Sequence, residues 1–243
     1  MSINFLGVGA QKCGTTTLYH ILKQHPDIFM AERKEIHFFD DSNNYSKGIN
    51  WYKETYFKDT GHAKAIGEIT PAYMFLEHIP EKILKDLGRD IKFIFMLRNP
   101  VDRAYSNYKM ELGRNNEHET FLKAIELESE RIVESESTKK TYSYVQRGFY
   151  AKQIKKYLKY FPEENMMFVI FEEFIKEPTN ISKEIFKFLG VQSEFQLNYH
   201  IKKNESCEAS PMDLKLRNTL IDLFKDDVKE LEQIIGRSLD IWR

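Results

Sequence analysis

Short runs of mostly apolar residues alternate along the chain with stretches in which apolar residues recur every three or four positions. The runs, which are typical of strands buried on both faces, are 5–8, 65–69, 92–97 and 166–170. The helical spacing falls on 18–22, 80–87, 101–112, 119–136, 150–161, 178–189 and 210–224. Because strands that alternate with helices form parallel sheets, we predict a three-layer α/β fold with a central parallel sheet flanked by helices. We expect it to form a single domain over residues 1–243.

The first predicted strand leads into a loop rich in glycine and threonine. The loop reads Gly9-Ala-Gln-Lys-Cys-Gly14-Thr15, and the helical spacing begins soon after it. Main-chain N–H groups at a helix N-terminus have no helical partners, and the helix dipole adds about half a positive charge there. Gly14 lets an anion approach the backbone closely, and the threonines add hydroxyl donors. We therefore predict an anion site and, with it, a P-loop-like fold.

The same loop departs from the pattern that binds nucleoside triphosphates, G-x-x-x-x-G-K-[ST]. Gly9 and Gly14 have the right spacing, but Thr15 stands where the pattern has its lysine, and Lys12 comes earlier instead. The strongest later strand ends in Arg98 rather than in an acidic residue that would bind magnesium. The loop is therefore predicted to bind a phosphate-like group without a metal ion.

A second motif follows the predicted strand 92–97. It reads Arg98-Asn-Pro-Val-Asp-Arg103-Ala-Tyr-Ser106, and it begins at the carboxyl end of the strand, where parallel α/β proteins bind ligands. A guanidinium fork and a hydroxyl suit a terminal phosphate, so Arg98 and Ser106 are candidate phosphate ligands. Arg103 is interpreted as the member of a structural ion pair.

A third stretch, Lys34-Glu35-Ile-His37-Phe-Phe-Asp40, offers groups that can take up a proton. A carboxylate or an imidazole close to an alcohol or amine can act as a general base. Glu35 and His37 are therefore candidates for this role. The alternative is a structural turn, with both phenylalanines in the core and a hydrogen-bonded histidine.

These three motifs together resemble those of sulfotransferases that use 3′-phosphoadenosine 5′-phosphosulfate (PAPS), most closely the heparan-sulfate and bacterial carbohydrate type. Residues 11–16 are similar to Q-K-x-G-T-T, residues 34–39 to K-E-x-H-F-F, and residues 98–106 to R-x-P-x-x-R-x-x-S. The resemblance implies PAPS as the co-substrate, 3′-phosphoadenosine 5′-phosphate (PAP) as the product, and no metal. The cofactor-binding residues that it implies are Gln11, Lys12, Cys13, Gly14, Thr15, Thr16, Thr17, Arg98 and Ser106.

The resemblance also implies the chemistry. A sulfuryl group would pass in line from PAPS to a hydroxyl or amine of an acceptor, and a saccharide is the expected acceptor. Lys12 would stabilise the leaving group, Glu35 would act as the base, and His37 would assist or orient it.

Two features of the family are not matched. The family's strand motif E-K-[ST]-x-x-Y reads Glu68-Ile69-Thr-Pro-Ala-Tyr73 here, so the charge of its lysine is missing. A C-terminal cofactor loop of the K-G-R type is not evident, and residues 202–204 are the nearest candidate. The specificity of the heparan-sulfate enzymes is therefore not carried over.

Composition limits the other classes of function. The chain has 36 Lys and Arg against 37 Asp and Glu, which argues against a general nucleic-acid-binding protein. No apolar run reaches the roughly 20 residues that span a bilayer, and the first residues lack the basic start of a signal peptide. We expect a bacterial cytoplasmic enzyme. Two alternatives stay open: a P-loop kinase of a small molecule, and a non-catalytic module that binds a nucleotide or a glycan.

Overall fold

Strands and helices alternate along the chain, as the hydrophobic pattern predicts. The structure, a computed structural model, describes residues 3–198 and 211–243. The strands are β1 Phe5–Gly9, β2 Ile28–Met30, β3 Ala65–Ile69, β4 Lys92–Leu97 and β5 Met166–Ile170. The helices are α1 Thr15–Leu22, α2 Ser42–Ser46, α3 Gly48–Tyr56, α4 Ile79–Leu87, α5 Pro100–Gly113, α6 Phe121–Glu126, α7 Glu128–Arg131, α8 Glu136–Tyr142, α9 Tyr150–Leu158, α10 Phe171–Lys176, α11 Pro178–Leu189 and α12 Leu214–Ile235.

The strands form one parallel sheet in the order β2-β3-β1-β4-β5. Phe5 of β1 lies opposite Gly67 on one side and Lys92 on the other, so β1 is a central strand. Every residue of β1 is buried, as expected for a strand covered on both faces. Helix α1 packs against β2 and β3, and α11 packs against β5. The predicted α/β fold, with a central parallel sheet flanked by helices, is confirmed.

Two compact units divide the chain. The first comprises Met1–Leu97 with Gln153–Lys202 and contains the sheet. The second comprises Arg98–Lys152 with Lys203–Arg243. In the described part of the second unit, apolar residues of α5, α6 and α12 share one core, which includes Phe224. The single domain over residues 1–243 stays a prediction.

The structure differs from the predicted elements in two places. Ile28–Met30 forms the edge strand β2, which the hydrophobic pattern did not indicate. The single helix expected over 119–136 is broken into α6, α7 and the start of α8. Glu128, the first residue of α7, is buried, and it accepts hydrogen bonds from the main-chain N–H groups of Val145 and Gln146 at 2.7 and 2.8 Å. A tertiary contact therefore interrupts a segment whose local pattern is helical throughout.

The last helix begins later and ends later than predicted. It starts at Leu214, where the Asp213 carboxylate accepts from the N–H of Leu216 at 3.1 Å, and it ends at Ile235 before Gly236. Residue 210, the predicted start, lies outside the described residues. No helix within 3–198 or 211–243 combines the length and the apolar composition needed to cross a bilayer.

Candidate functional site

Loops that follow neighbouring strands meet at the carboxyl edge of the sheet. The N–H of Thr70 donates to the Gly7 carbonyl at 2.9 Å, which joins the end of β3 to β1. The N–H of Glu35 donates to the Ile69 carbonyl at 3.0 Å, which joins the loop after β2 to the end of β3. This is the edge at which parallel α/β proteins bind ligands.

The loop between β1 and α1 presents the N-terminus of a helix. Gly14 is the N-cap residue in the left-handed conformation, with φ 84° and ψ 14°, and it has no side chain with which to cap the turn. The first turn contains Thr15, Thr16 and Thr17 and no acidic residue. The main-chain N–H groups of this turn and the helix dipole therefore favour an anion.

Gly14 is required for two separate reasons. A residue with a side chain would adopt its left-handed conformation at a cost of about 1–2 kcal/mol. A Cβ atom on Gly14 would also lie 2.7 Å from Cδ2 of Phe171, which is closer than carbon atoms pack. The glycine therefore lets the first residue of α10 cover the loop.

Gly14→Ala is expected to lower the free energy of unfolding by about 1–3 kcal/mol more than Gly190→Ala does, because overpacking adds to backbone strain. Both glycines are left-handed, with φ 84° and 78°, but nothing lies within 4 Å of a Cβ built on Gly190. Urea denaturation of the two variants measures the difference. Equal losses would contradict the close contact between Gly14 and Phe171.

The predicted catalytic residues share an uncommon backbone conformation. Lys12, Glu35 and His37 are left-handed, with φ 70°, 60° and 57°. Within residues 3–198 and 211–243, Asn115 is the other non-glycine residue with a positive φ. Such conformations cost about 1–3 kcal/mol each and cluster at functional sites. The backbone thus singles out the same residues as the motifs do.

The side chains beside Lys12 are partly or fully buried. Oε1 of Gln11 is buried and accepts no hydrogen bond from the described residues. The Cys13 thiol is buried and lies 3.7 Å from the main-chain oxygen of Gln11. Because a buried acceptor is normally satisfied, the Gln11 amide fits a ligand that brings a donor to this loop.

Glu35, His37 and Asp40 form a connected polar group in the loop after β2. Nδ1 of His37 lies 2.9 Å from Oδ2 of Asp40, whose side chain is fully buried, and Nε2 lies 3.9 Å from Oε2 of Glu35. Lys34 contacts the other carboxylate oxygen of Glu35. An ionised Asp40 carboxylate can only accept, so it pairs with the tautomer of His37 that carries its proton on Nδ1, and Nε2 is then the ring nitrogen nearer Glu35.

A buried carboxylate lies at the end of β3, close to this loop. Glu68 is 1% exposed and accepts hydrogen bonds from the hydroxyls of Tyr52, Thr70 and Tyr73 at 2.9, 2.6 and 2.8 Å. Burial raises the pKa of Glu68 above its ordinary value, and the three hydroxyl donors oppose that rise. The carboxyl group is therefore part of the framework and does not face solvent.

The sequence reasoning missed three of these polar residues. Asp40 stands three residues after His37, and this spacing could have indicated a hydrogen bond between their side chains. Glu68 and Tyr73 were assigned no role. Tyr73 contacts Phe38 across 35 positions of the chain, which no local pattern shows.

Ile69 does not restore the missing charge of the family's lysine. Its side chain is fully buried, and its Cγ1 lies 2.6 Å from the place a Cβ on Gly7 would take. The last residue of β3 is therefore part of the core. The other departure, at residues 202–204, lies outside the described residues.

The motif that follows β4 belongs to the second unit. Asn99 caps α5 by accepting from the N–H of Val101 at 3.0 Å, and this places Pro100 in the first turn. Arg98 and Ser106 are both partly exposed. The main-chain oxygen of Arg98 accepts from the Tyr150 hydroxyl at 2.9 Å. The two candidate ligands are thus accessible residues on a firmly held segment.

Arg103, the other arginine of that motif, is fully buried. Its guanidinium donates to the main-chain oxygen of Tyr144 and to Oδ1 of Asn107. Burial raises the pKa of the Glu128 carboxyl, and the charge of Arg103 is one of the contributions that oppose this rise. These contacts give Arg103 a structural role. No group of three His, Cys, Asp or Glu side chains suited to a metal ion occurs in residues 3–198 and 211–243.

Comparisons with known proteins agree with these motifs. The family model of the sulfotransferase domain matches residues 3–212. Mouse heparan sulfate glucosamine 3-O-sulfotransferase 5 is 33% identical over 204 residues, which are 82% of this chain and 58% of the relative. The chain thus spans less than two thirds of the length of that curated relative.

Solved structures show the same relationship. A sulfotransferase from Alicyclobacillus acidocaldarius is 32% identical, with a TM-score of 0.85 over 100% of this chain and 99% of its own. The mouse sulfotransferase SULT7A1, solved in complex with PAP, is 22% identical and shares the fold, with a TM-score of 0.53 over 79% of this chain and 59% of its own. The chain therefore belongs to the sulfotransferase family.

Proposed function

We propose that this protein transfers a sulfuryl group from PAPS to a hydroxyl or amine of an acceptor, with a saccharide as the acceptor class. The observation that carries the proposal is the loop of residues 9–17, where Lys12 stands beside a helix N-terminus whose first turn has no acidic residue. Membership of the sulfotransferase family supports sulfuryl transfer. The heparan sulfate enzymes among the relatives support a saccharide.

The loop after β1 fits the phosphosulfate end of PAPS. The main-chain N–H groups that follow the left-handed Gly14 can donate to phosphate oxygens. We assign the phosphosulfate end to the same residues that the motif implies, namely Gln11, Lys12, Cys13, Gly14, Thr15, Thr16 and Thr17.

Lys12 would stabilise the leaving group. PAPS supplies the activated sulfuryl group, and transfer breaks the bond between sulfur and the bridging oxygen of the 5′-phosphate. Negative charge then grows on that oxygen. An ammonium group and preplaced N–H donors stabilise such charge most effectively when they are already in position.

Glu35 would take the acceptor proton as the new bond between sulfur and the acceptor atom forms. Its carboxylate is partly exposed, at 43% of the side chain, so an acceptor can reach it. His37 would orient Glu35 or assist it through Nε2, and Asp40 would fix the tautomer of His37. The three side chains thus form the proton-accepting side of the proposed site.

Arg98 and Ser106 would bind the 3′-phosphate of the nucleotide. The support for this assignment is the match to the family's motif, the partial exposure of both residues and the fully buried position of Arg103. A guanidinium can donate two parallel hydrogen bonds to a phosphate.

Arg98→Ala is expected to weaken PAP binding about 10–100-fold, because it removes a charge-assisted pair of hydrogen bonds. The affinity for adenosine 5′-phosphosulfate, which lacks the 3′-phosphate, should hardly change. Isothermal titration with both nucleotides measures this difference. Arg114→Ala, at the other end of α5, is the charge-matched control. Equal losses for the two nucleotides would rule out the 3′-phosphate role.

An acceptor screen with PAPS tests the proposed function as a whole. A panel of saccharides, phenols, amines and lipids is incubated with the protein, and mass spectrometry identifies any molecule that gains a sulfuryl group. Transfer to a saccharide without added magnesium is the expected result. ATP turnover that needs magnesium would indicate a kinase, and PAP binding without turnover would indicate a non-catalytic module. A bacterial cytoplasmic location stays a prediction.

A further inference from the structure

The loop that carries Glu35 and His37 is tied to the end of β3 through one buried hydroxyl. The N–H of Phe38 donates to the Tyr73 hydroxyl at 2.9 Å, and the N–H of Phe39 lies 3.4 Å from the same oxygen. Tyr73 is fully buried, so water does not replace this acceptor. A buried N–H group that loses its acceptor is destabilising, which makes the contact a strong restraint on the loop.

Glu68 fixes the direction of that hydroxyl. Oε1 of Glu68 lies 2.8 Å from the Tyr73 hydroxyl and 2.9 Å from the Tyr52 hydroxyl. A hydroxyl has one proton, so Tyr73 donates it to Glu68 and turns its lone pairs towards the N–H of Phe38. The direction holds in both protonation states of Glu68, because a carboxylic acid can direct its proton from Oε2 to Thr70 and keep Oε1 as an acceptor.

The backbone of the loop needs such a restraint. Glu35 and His37 are left-handed, and non-glycine residues keep this conformation only where the surroundings hold them in it. Hydrogen bonds hold the main chain at both ends of the segment from Glu35 to Phe38. The N–H of Glu35 donates to Ile69 at 3.0 Å, and the N–H of Phe38 donates to Tyr73. The Ile69 carbonyl is at the end of β3, and the Tyr73 hydroxyl belongs to the segment that follows β3.

We propose that Tyr73, oriented by Glu68, is a positioning residue that sets the placement of Glu35 and His37 for proton transfer. The inference rests on the proposed function, and it gives neither Tyr73 nor Glu68 a contact with substrate. A displacement of about 1 Å at a reacting group can cost about 100-fold in rate. A small shift of the loop is therefore enough to affect turnover while the nucleotide still binds.

Tyr73→Phe and Tyr52→Phe are matched variants for the test. Each removes one hydroxyl that is bonded to Oε1 of Glu68 from a fully buried ring, and Tyr73→Phe should lower the melting temperature further because it also leaves the buried N–H of Phe38 without its acceptor. The Tyr73 hydroxyl also holds the N–H of Phe38. Tyr73→Phe should lower kcat about 10–100-fold with the KM for PAPS within about twofold, and Tyr52→Phe should keep kcat within about threefold.

Hydrogen exchange of the Phe38 amide gives a readout that does not depend on turnover. The amide should exchange faster in Tyr73→Phe and at the wild-type rate in Tyr52→Phe. Glu68→Gln, which keeps an oxygen at Oε1, should retain most of the activity that Glu68→Leu loses. Equal losses of kcat in the two phenylalanine variants, or unchanged exchange of Phe38 in Tyr73→Phe, would overturn the proposal.

Two further outcomes also decide the question. If Tyr73→Phe does not fold, the wild-type protein suffices, because an anchored Phe38 amide should exchange at least about 1,000-fold more slowly than an unprotected one. A fast-exchanging Phe38 in the wild type would overturn the proposal. If the wild type transfers no sulfuryl group to any acceptor, the proposed function fails, and the exchange rates still report whether Tyr73 anchors the loop.

Discussion

Lys12→Met is expected to lower kcat for sulfuryl transfer about 100–1,000-fold, the loss typical of removing one group that stabilises charge in the transition state. Methionine has a similar length and no charge, so the loop keeps its shape while the leaving oxygen loses its ammonium partner. Charge on that oxygen grows only as the bond to sulfur breaks. PAP binding should therefore weaken less than turnover, by about 10-fold. Single-turnover rates with saturating PAPS and titrations with PAP measure the two effects.

Lys23→Met is the matched control for this experiment. Lys23 is the exposed C-cap residue of the same helix, and its ammonium lies 5.8 Å from the centre of the Tyr19 ring. Both variants remove one positive charge from the neighbourhood of α1. Comparable rates for Lys12→Met and Lys23→Met would show that Lys12 does not act on the leaving group.

Glu35→Gln is expected to lower kcat about 100–1,000-fold while the dissociation constant of PAP stays within about twofold. Glutamine keeps the size and the hydrogen bonding of the side chain but cannot accept the acceptor's proton. The variant loses the ion pair with Lys34, but it keeps an oxygen that can accept a hydrogen bond from the Lys34 ammonium. Initial rates with the best acceptor of the screen, together with PAP titrations, measure the separation of turnover from binding.

Glu32→Gln serves as the control in the same loop, three positions earlier. Glu32 is exposed, and the Tyr19 hydroxyl donates to its main-chain oxygen at 2.7 Å. Its substitution should leave both turnover and binding close to the wild type. Normal turnover in Glu35→Gln would remove Glu35 from the mechanism and leave His37 as the candidate base.

The central strands could be predicted from the sequence because their environment is uniform. The inner strands β3 and β4 coincide with the predicted runs at 65–69 and 92–97, and the edge strand β5 coincides with the run at 166–170. Strands covered on both faces need apolar residues at nearly every position, and this pattern is visible without tertiary information. β2 was missed because its three residues are too few to show a pattern, whereas β5, at the other edge of the sheet, has five residues and was predicted.

The segment 119–136 shows why local patterns fail elsewhere. Its charges and apolar residues suit one helix, and each piece of it is helical. The break reflects the burial of Glu128 against the main chain of Val145 and Gln146, which lie beyond the segment. No rule about neighbouring residues contains that contact.

In the candidate site, too, some residues could be predicted from the sequence and others could not. Lys12, Glu35 and His37 could be named because their motifs are contiguous, and the left-handed backbone later set them apart. Asp40 is close enough in sequence to have been paired with His37. Tyr73 could not be found, since its role depends on a contact with Phe38 that only the folded chain creates.

A crystal structure of the protein with PAP tests the central claim most directly. The account predicts the 5′-phosphate on the N–H groups of residues 14–17, with the Lys12 ammonium beside it, and the 3′-phosphate on Arg98 and Ser106. A nucleotide bound elsewhere, with no phosphate at the start of α1, would contradict it.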